Sequence, residues 1–302
     1  MNSSTGFQYL RLLRIRQWVK NVFVFLPMAF GGQLFNISNW LSCVLAWFVF
    51  SLTASSIYCL NDSLDYKADQ KHPIKKNRPI ASGKISALKA RLVSMLLIFI
   101  VTVIAILKYT PAEASILLIY WIVNLLYCLG LKKLPIVDVM IIAIGFVLRI
   151  LFGGAVCGIW VSPWMICMVF LLTLMLAFSK RRSDVVIQMN TEITTRQSIN
   201  GFTLAFMNTV ISMLAAVTMV TYFLFTMNEE VIARSGSPYI YITSIFVLAA
   251  IIRYLQVIFN NPEGALPTKV ITRDRFIIGC IFCWFITYML IIYLSNRFIE
   301  AL

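Results

Sequence analysis

The chain has 302 residues, 60% of them hydrophobic and only 13% charged, whereas a typical soluble domain is roughly a quarter charged. A water-soluble domain is therefore excluded, and the sequence reads as one integral membrane domain over residues 1–302. The formal charge of +14 needs no nucleic acid as partner, because the cations are placed as an orientation signal, helped by anionic lipid.

Apolar runs of about 20 residues can cross a bilayer as helices. Nine are predicted: Trp18–Phe35, Asn39–Asn61, Ala87–Leu107, Ala112–Leu129, Ile136–Cys157, Pro163–Ser179, Ile199–Met227, Tyr239–Ile258 and Phe276–Arg297. Most of the 26 Lys and Arg precede the first span or follow even-numbered ones, Arg196 among them. Only Lys108, Arg234 and Arg297 fall on the other side, with Arg149 inside a span. This bias predicts a cytoplasmic N-terminus and an external C-terminus. No cleavable signal pattern opens the chain. The seven cysteines all fall within or at the edge of spans; Cys280 and Cys283 have CxxC spacing but no second pair and an apolar setting, so they read as packing residues.

Residues 1–17 form an amphipathic lead-in, and Arg11 and Trp18 read as interfacial anchors. Lys20 and Asn21 lie deeper, where a polar residue needs an internal partner; both are candidates for a substrate site.

The second and third spans flank a motif segment, residues 61–86, that begins NDSLDYKADQKHPIKKNRPIASG. If the second helix continues through Asp69, spacings of three and four put Asp62, Asp65 and Asp69 on one face with Asn61 beside them. Three like charges there repel unless a cation sits among them. Oxygen ligands of this type suit Mg²⁺, which takes one or two protein carboxylates and fills its shell with water and phosphate. The following Lys75 and Arg78 would face that phosphate. A solvated, salt-bridged loop is the other reading of the same residues. His72, beside Pro73, reads as loop-shaping rather than as a proton carrier.

Further along, Tyr127 and Lys132 lie in NLLYCLGLKK, where Gly130 offers a helix stop. Asp138, Ile142, Gly145 and Arg149 share a face of the fifth span, Arg149 roughly 16 Å beyond Asp138. A buried arginine must be paired or face a wet cavity, so Arg149 is either a lock between helices or a ligand contact. The sixth span ends with Lys180, Arg181 and Asp184 on a helix end, either positive-inside anchors or part of a site that a bundle could assemble. After the eighth span, Pro262, Gly264 and Pro267 break the helix, and Arg273 and Arg275 open the ninth as anchors or outer-rim phosphate contacts, the anchor reading favoured.

Together, Asn61, Asp62, Asp65, Asp69, His72, Pro73, Lys75, Arg78, Pro79 and Gly83 resemble the first aspartate-rich motif of the UbiA superfamily of intramembrane prenyltransferases. Within it the likeness is closest to the polyprenyl-phosphate phosphoribosyltransferase branch. RQWVKN (Arg16–Asn21), NLLYCLGLKKLPIVD (Asn124–Asp138), GFVLRILFGG (Gly145–Gly154), SKRRSD (Ser179–Asp184) and TRDR (Thr272–Arg275) add to the resemblance. It implies an all-α bundle of nine transmembrane helices around a central cavity. It also implies Mg²⁺-dependent transfer of 5-phosphoribosyl from phosphoribosyl diphosphate to a polyprenyl phosphate.

Where aromatic prenyltransferases of that superfamily carry a second acidic motif, this chain has Lys180 and Arg181, with Asp184 the remaining acid. That exchanges a metal-mediated diphosphate grip for a cationic one. The resemblance assigns Asp62 and Asp65 to Mg²⁺, with Asn61 and Asp69 as supporting ligands. Lys20, Lys75, Arg78, Lys180 and Arg181 would hold phosphates, with Tyr127, Lys132 and Asp138 orienting ribose or phosphate. Prenyl transfer to an aromatic acceptor, and a non-enzymatic transporter or lipid carrier, stay open as other readings, and so does a homo-oligomer.

Overall fold

The computed structural model describes residues 5–31, 33–34, 36–71, 75–191, 199, 201–261 and 267–300, and among these it contains helices and turns but no strand. His72, Pro73, Arg196, Pro262 and Gly264 lie outside the described residues. After α1 (Thr5–Leu12), a 3-10 segment Ile15–Phe25 leads into α2 (Leu26–Phe30). Helix α3 spans Ile37–Lys71, α4 Ala87–Lys108, α5 Pro111–Leu129 and α6 Val137–Val156. Then come α7 (Pro163–Thr191), α8 (Leu204–Thr226), α9 (Glu229–Ser235), a 3-10 stretch Pro238–Thr243 running into α10 (Ser244–Phe259), α11 (Pro267–Arg273) and α12 (Arg275–Glu300).

Eight described helices are long and apolar enough to cross a membrane, and they coincide with the second to ninth expected spans. The expected first span, Trp18–Phe35, is not a continuous α-helix. Gln17, Lys20 and Asn21 interrupt its apolar run, and Pro27 sits at the start of the short α2. The ladder that the segment gives up is partly replaced by side chains. Ser55 donates to the Leu13 carbonyl at 2.8 Å, and Trp47 donates to the Trp18 carbonyl at 3.3 Å.

Helix α3 is long because nothing stops it: its 35 residues contain neither glycine nor proline. At about 1.5 Å per residue it measures ~52 Å, against a hydrocarbon core of ~30 Å. One end must therefore stand beyond the hydrocarbon, and the charged end from Asn61 to Lys71 is that end. The helix does continue through Asp69, as the motif spacing required.

By contact, the chain divides into two compact units, residues 1–132 with 148–161, and 133–147 with 162–302. In the first, Phe50, Tyr120, Phe152, Val24, Val49 and Leu117 form one buried cluster. Lipid is as apolar as these side chains, so close packing and internal hydrogen bonds must supply the association. The buried run Ser51, Thr53, Ala54, Ser55 and Ser56 thins the middle of α3. Ser55 accepts from Trp18 Nε1 at 3.0 Å, Ser51 Oγ from Asn21 at 2.8 Å, and the Ser56 carbonyl from Ser94 of α4 at 2.7 Å. Trp18, expected as an interfacial anchor, thus packs on α3, edge-on to Trp47 and Phe48.

At Gly153 of α6 the neighbouring backbone comes so near that a Cβ would lie 1.9 Å from the Val24 carbonyl oxygen. Cys43 and Cys157 form a disulfide within this unit, with their Cα atoms 6.5 Å apart.

Arg149 is buried and acts as a lock between helices. Its Nε donates to Asn21 Oδ1 at 2.7 Å and its Nη2 to the Tyr120 hydroxyl at 3.2 Å, while its guanidinium lies 5.0 Å from the Phe50 ring centre. Asn21 accordingly spends its amide oxygen on Arg149 and its amide nitrogen on Ser51.

In the second unit the core gathers Val139, Leu174, Phe178, Ile211, Tyr254 and Ile258. Arg182 ties three helices together: Nε donates to Asn208 Oδ1 of α8 at 2.7 Å and Nη1 to the Ile258 carbonyl at 2.9 Å. That carbonyl belongs to the last turn of α10, where helix acceptors lack intrahelical donors. At the start of α12, Asp274 Oδ1 accepts from the backbone N–H groups of Phe276 and Ile277, and its Oδ2 takes a 3.0 Å bond from Arg253. The Arg253 bond, then the Ile277 N–H, holds the Asp274 carboxyl below its ordinary pKa.

Candidate functional site

In the first unit, the acidic end of α3 is met by cations from three other segments. Arg14 bonds Asp62 Oδ1 at 2.5 Å, and Arg78 reaches the same oxygen at 3.0 Å and Asp69 Oδ2 at 2.6 Å. Lys132 stands 2.6 Å from each oxygen of Asp65 and 3.1 Å from Asn61 Oδ1. The cation that keeps the three carboxylates together is thus, in this structure, a set of protein side chains. Asp62 and Asp69 are buried at 2% and 4% exposure, so their charges depend on these partners.

Arg14 belongs to the amphipathic lead-in of residues 1–17. Its backbone is in the left-handed region, φ 52°, a conformation uncommon for residues other than glycine. From there its guanidinium lies 4.8 Å from the Tyr58 ring centre while it bonds Asp62. The pairing spans 48 positions of sequence, and no local spacing announces it. Lys20 is half-buried and within electrostatic reach of Arg14 and Arg149. Lys75 and Tyr127 are half-buried on the 3-10 turn Lys75–Asn77 and on α5.

In the second unit, Lys180 is exposed and Arg181 is not. At 1% exposure, Arg181 donates through Nε to the fully buried Asp138 at 2.6 Å and through Nη1 to Asp184 at 3.1 Å. Three residues expected to meet substrate therefore bind one another. Helix α7 continues twelve residues past Ser179, so this group sits within a helix rather than at its frayed end.

The donor set of Asn61, Asp62, Asp65 and Asp69 consists of hard oxygens and fits Mg²⁺ in kind. Among the described residues no three His, Cys, Asp or Glu side chains converge on one point. Arg14 and Arg78 both meet Asp62 at Oδ1.

A helical membrane protein with this acidic helix end belongs to a defined class. The chain is a member of the UbiA prenyltransferase family, whose pattern it matches over residues 21–286, and it is a transferase enzyme of the membrane. It is 29% identical over 292 residues to the decaprenyl-phosphate phosphoribosyltransferase of Corynebacterium glutamicum, covering 96% of this chain and 88% of that protein. To the protein of the same name from Mycolicibacterium smegmatis it is 30% identical over 297 residues, covering 95% and 92%. A solved UbiA homologue from Archaeoglobus fulgidus bound to GPP and Mg²⁺ is 17% identical, with a TM-score of 0.68 over 95% of this chain and 99% of that one; that likeness is one of fold.

Proposed function

We propose that the protein transfers 5-phosphoribosyl from phosphoribosyl diphosphate to a polyprenyl phosphate, with Mg²⁺ as cofactor, at the cytoplasmic face of a prokaryotic plasma membrane. The observation that carries the reading is the near full-length match to relatives named as phosphoribosyltransferases. The basic Lys180–Arg181 pair supports it, where an aromatic prenyltransferase would carry acids. The charge bias of the connectors supports the orientation.

In the reaction, a phosphate oxygen of the lipid attacks the anomeric carbon as the bond from that carbon to diphosphate breaks, and diphosphate leaves. The acceptor is already an anion near neutral pH, so the chain need supply no strong base. Its task is to align two anions and screen their repulsion. Asp62 and Asp65 would hold Mg²⁺, with Asn61 and Asp69 as further donors, directly or through water. The metal, when bound, neutralises charge on the diphosphate. Lys20, Lys75, Arg78 and the exposed Lys180 would bind phosphate oxygens, and Tyr127 would orient the ribose. Arg181, with Asp138 and Asp184, would fix the backbone from which Lys180 projects.

The test is incubation of purified protein and Mg²⁺ with phosphoribosyl diphosphate, radiolabelled in the ribose, and polyprenyl phosphate, followed by lipid extraction. Label in the lipid phase is the expected result, and it should vanish in the Asp62→Ala, Asp65→Ala double variant. No label, together with product from a prenyl diphosphate and an aromatic acid, would overturn the reading.

A further inference from the structure

Lys132 does something that neither arginine at the cluster does. Arg14 and Arg78 meet Asp62 through one oxygen, and Arg78 meets Asp69 through one. The Lys132 ammonium instead lies 2.6 Å from both oxygens of Asp65 and 3.1 Å from Asn61 Oδ1. It is a compact point charge inside three oxygens, the kind of shell a hard cation takes. A divalent ion cannot enter that shell while the ammonium stays, because both Asp65 oxygens are engaged and the two cations repel at such range.

The lysine is also placed to leave. It stands on the short turn Leu131–Lys133 after α5, on a flexible four-carbon stem. Its side chain is 18% exposed and that of Asp65 is 30% exposed, so water and ions reach the pair.

Resting on the reading that a divalent cation serves this end of α3, we propose that Lys132 is a resident counter-ion for Asn61 and Asp65 that the metal displaces. The released ammonium then binds an anionic oxygen of the substrate. The site would thus exchange one cation for another rather than fill from an open state, and metal entry would deliver a positive charge to the donor phosphates. Lys132 is then a positioning residue for the carboxylate in one state and a substrate contact in the other.

The test is Mn²⁺ binding to the full chain in nanodiscs without substrates, read by electron paramagnetic resonance. Lys132→Met and Lys132→Gln should each bind Mn²⁺ at least about tenfold more tightly than wild type, as removal of a competing like charge requires. Lys132→Arg, which keeps the charge, should not. Adding Asp65→Asn to Lys132→Met should abolish the gain. Phosphoribosyl diphosphate should bind the metal-loaded Lys132→Met protein more weakly than wild type. Equal or weaker Mn²⁺ binding by the Met and Gln variants, with wild type binding the metal, would overturn the exchange and leave the metal reading intact. Turnover without any Mn²⁺ binding by wild type or variants would overturn both.

Discussion

Replacing Asp138 by Leu removes the buried partner of Arg181. The pair lies at 2.6 Å with Arg181 1% and Asp138 0% exposed. Removing one member of such a pair costs about 3–5 kcal/mol, because the other charge is left in a low dielectric. Asp184 still accepts from Arg181 at 3.1 Å, and its side chain is 18% exposed. It recovers a little, about 1 kcal/mol at most for a bond so near water, so Asp138→Leu should cost roughly 3 kcal/mol. The double variant Asp138→Leu, Arg181→Met removes both charges and should return most of that loss, since apolar replacement of a whole buried pair is near neutral. Reversible unfolding in mixed micelles of dodecyl maltoside and SDS measures both values. Calorimetric binding of phosphoribosyl diphosphate to the same proteins reads Lys180 and its neighbours separately. A cost within about 0.5 kcal/mol for Asp138→Leu, or a double variant no more stable than the single, would refute the claim that the buried Arg181 charge depends on Asp138, since substitutions without a named structural cost fall in that range.

Three other perturbations follow from the same structure. Gly153→Ala should destabilise by about 1–3 kcal/mol, since its Cβ would meet the Val24 carbonyl. In an open helix the same change would stabilise by about 1 kcal/mol, so the sign alone, read in the micelle assay, decides whether the contact exists. Lys180→Ala leaves an exposed helical position filled by the best helix former. It should keep the fold and weaken donor binding at least about tenfold, the value of a charge-assisted bond, and unchanged affinity by calorimetry would remove Lys180 from the site. The Asp274 carboxyl is held below its ordinary pKa by Arg253. Its stabilising contribution is therefore full above the unfolded value of about 4 and is lost as pH falls through the lower folded value. Asp274→Asn should flatten that acid limb in a pH series of thermal scans, and an unchanged limb would count against the bond.

Much of this architecture is legible in the sequence because a bilayer allows few solutions. A long apolar run must satisfy its own backbone, so the second to ninth spans appear as helices close to where hydropathy places them. The first does not, because an average over Trp18–Phe35 counts Phe and Val but not the interruption by Lys20, Asn21 and Pro27. The three-and-four spacing of Asp62, Asp65 and Asp69 is likewise readable, being local. What spacing cannot give is who answers those charges. Arg14 lies 48 positions from Asp62, and Lys132 lies 67 from Asp65. Nor does a basic pair such as Lys180 and Arg181 reveal that one member faces out while its neighbour is sealed among acids. Adjacent helical residues point about 100° apart, and only packing decides which is covered.

The sulfur bridge between Cys43 and Cys157 encloses the remainder of α3, all of α4, α5 and α6, and the Lys132 turn in one covalent ring spanning 114 positions. Along α3, Cys43 stands 19 residues before Asp62, or ~28 Å, nearly the depth of the hydrocarbon. The acidic end of that helix and its bridged end thus stand about one hydrocarbon thickness apart, and bridges of this kind endure in oxidising surroundings. A protease cut in the segment joining α3 to α4 would leave both fragments migrating as one band until a reductant is added.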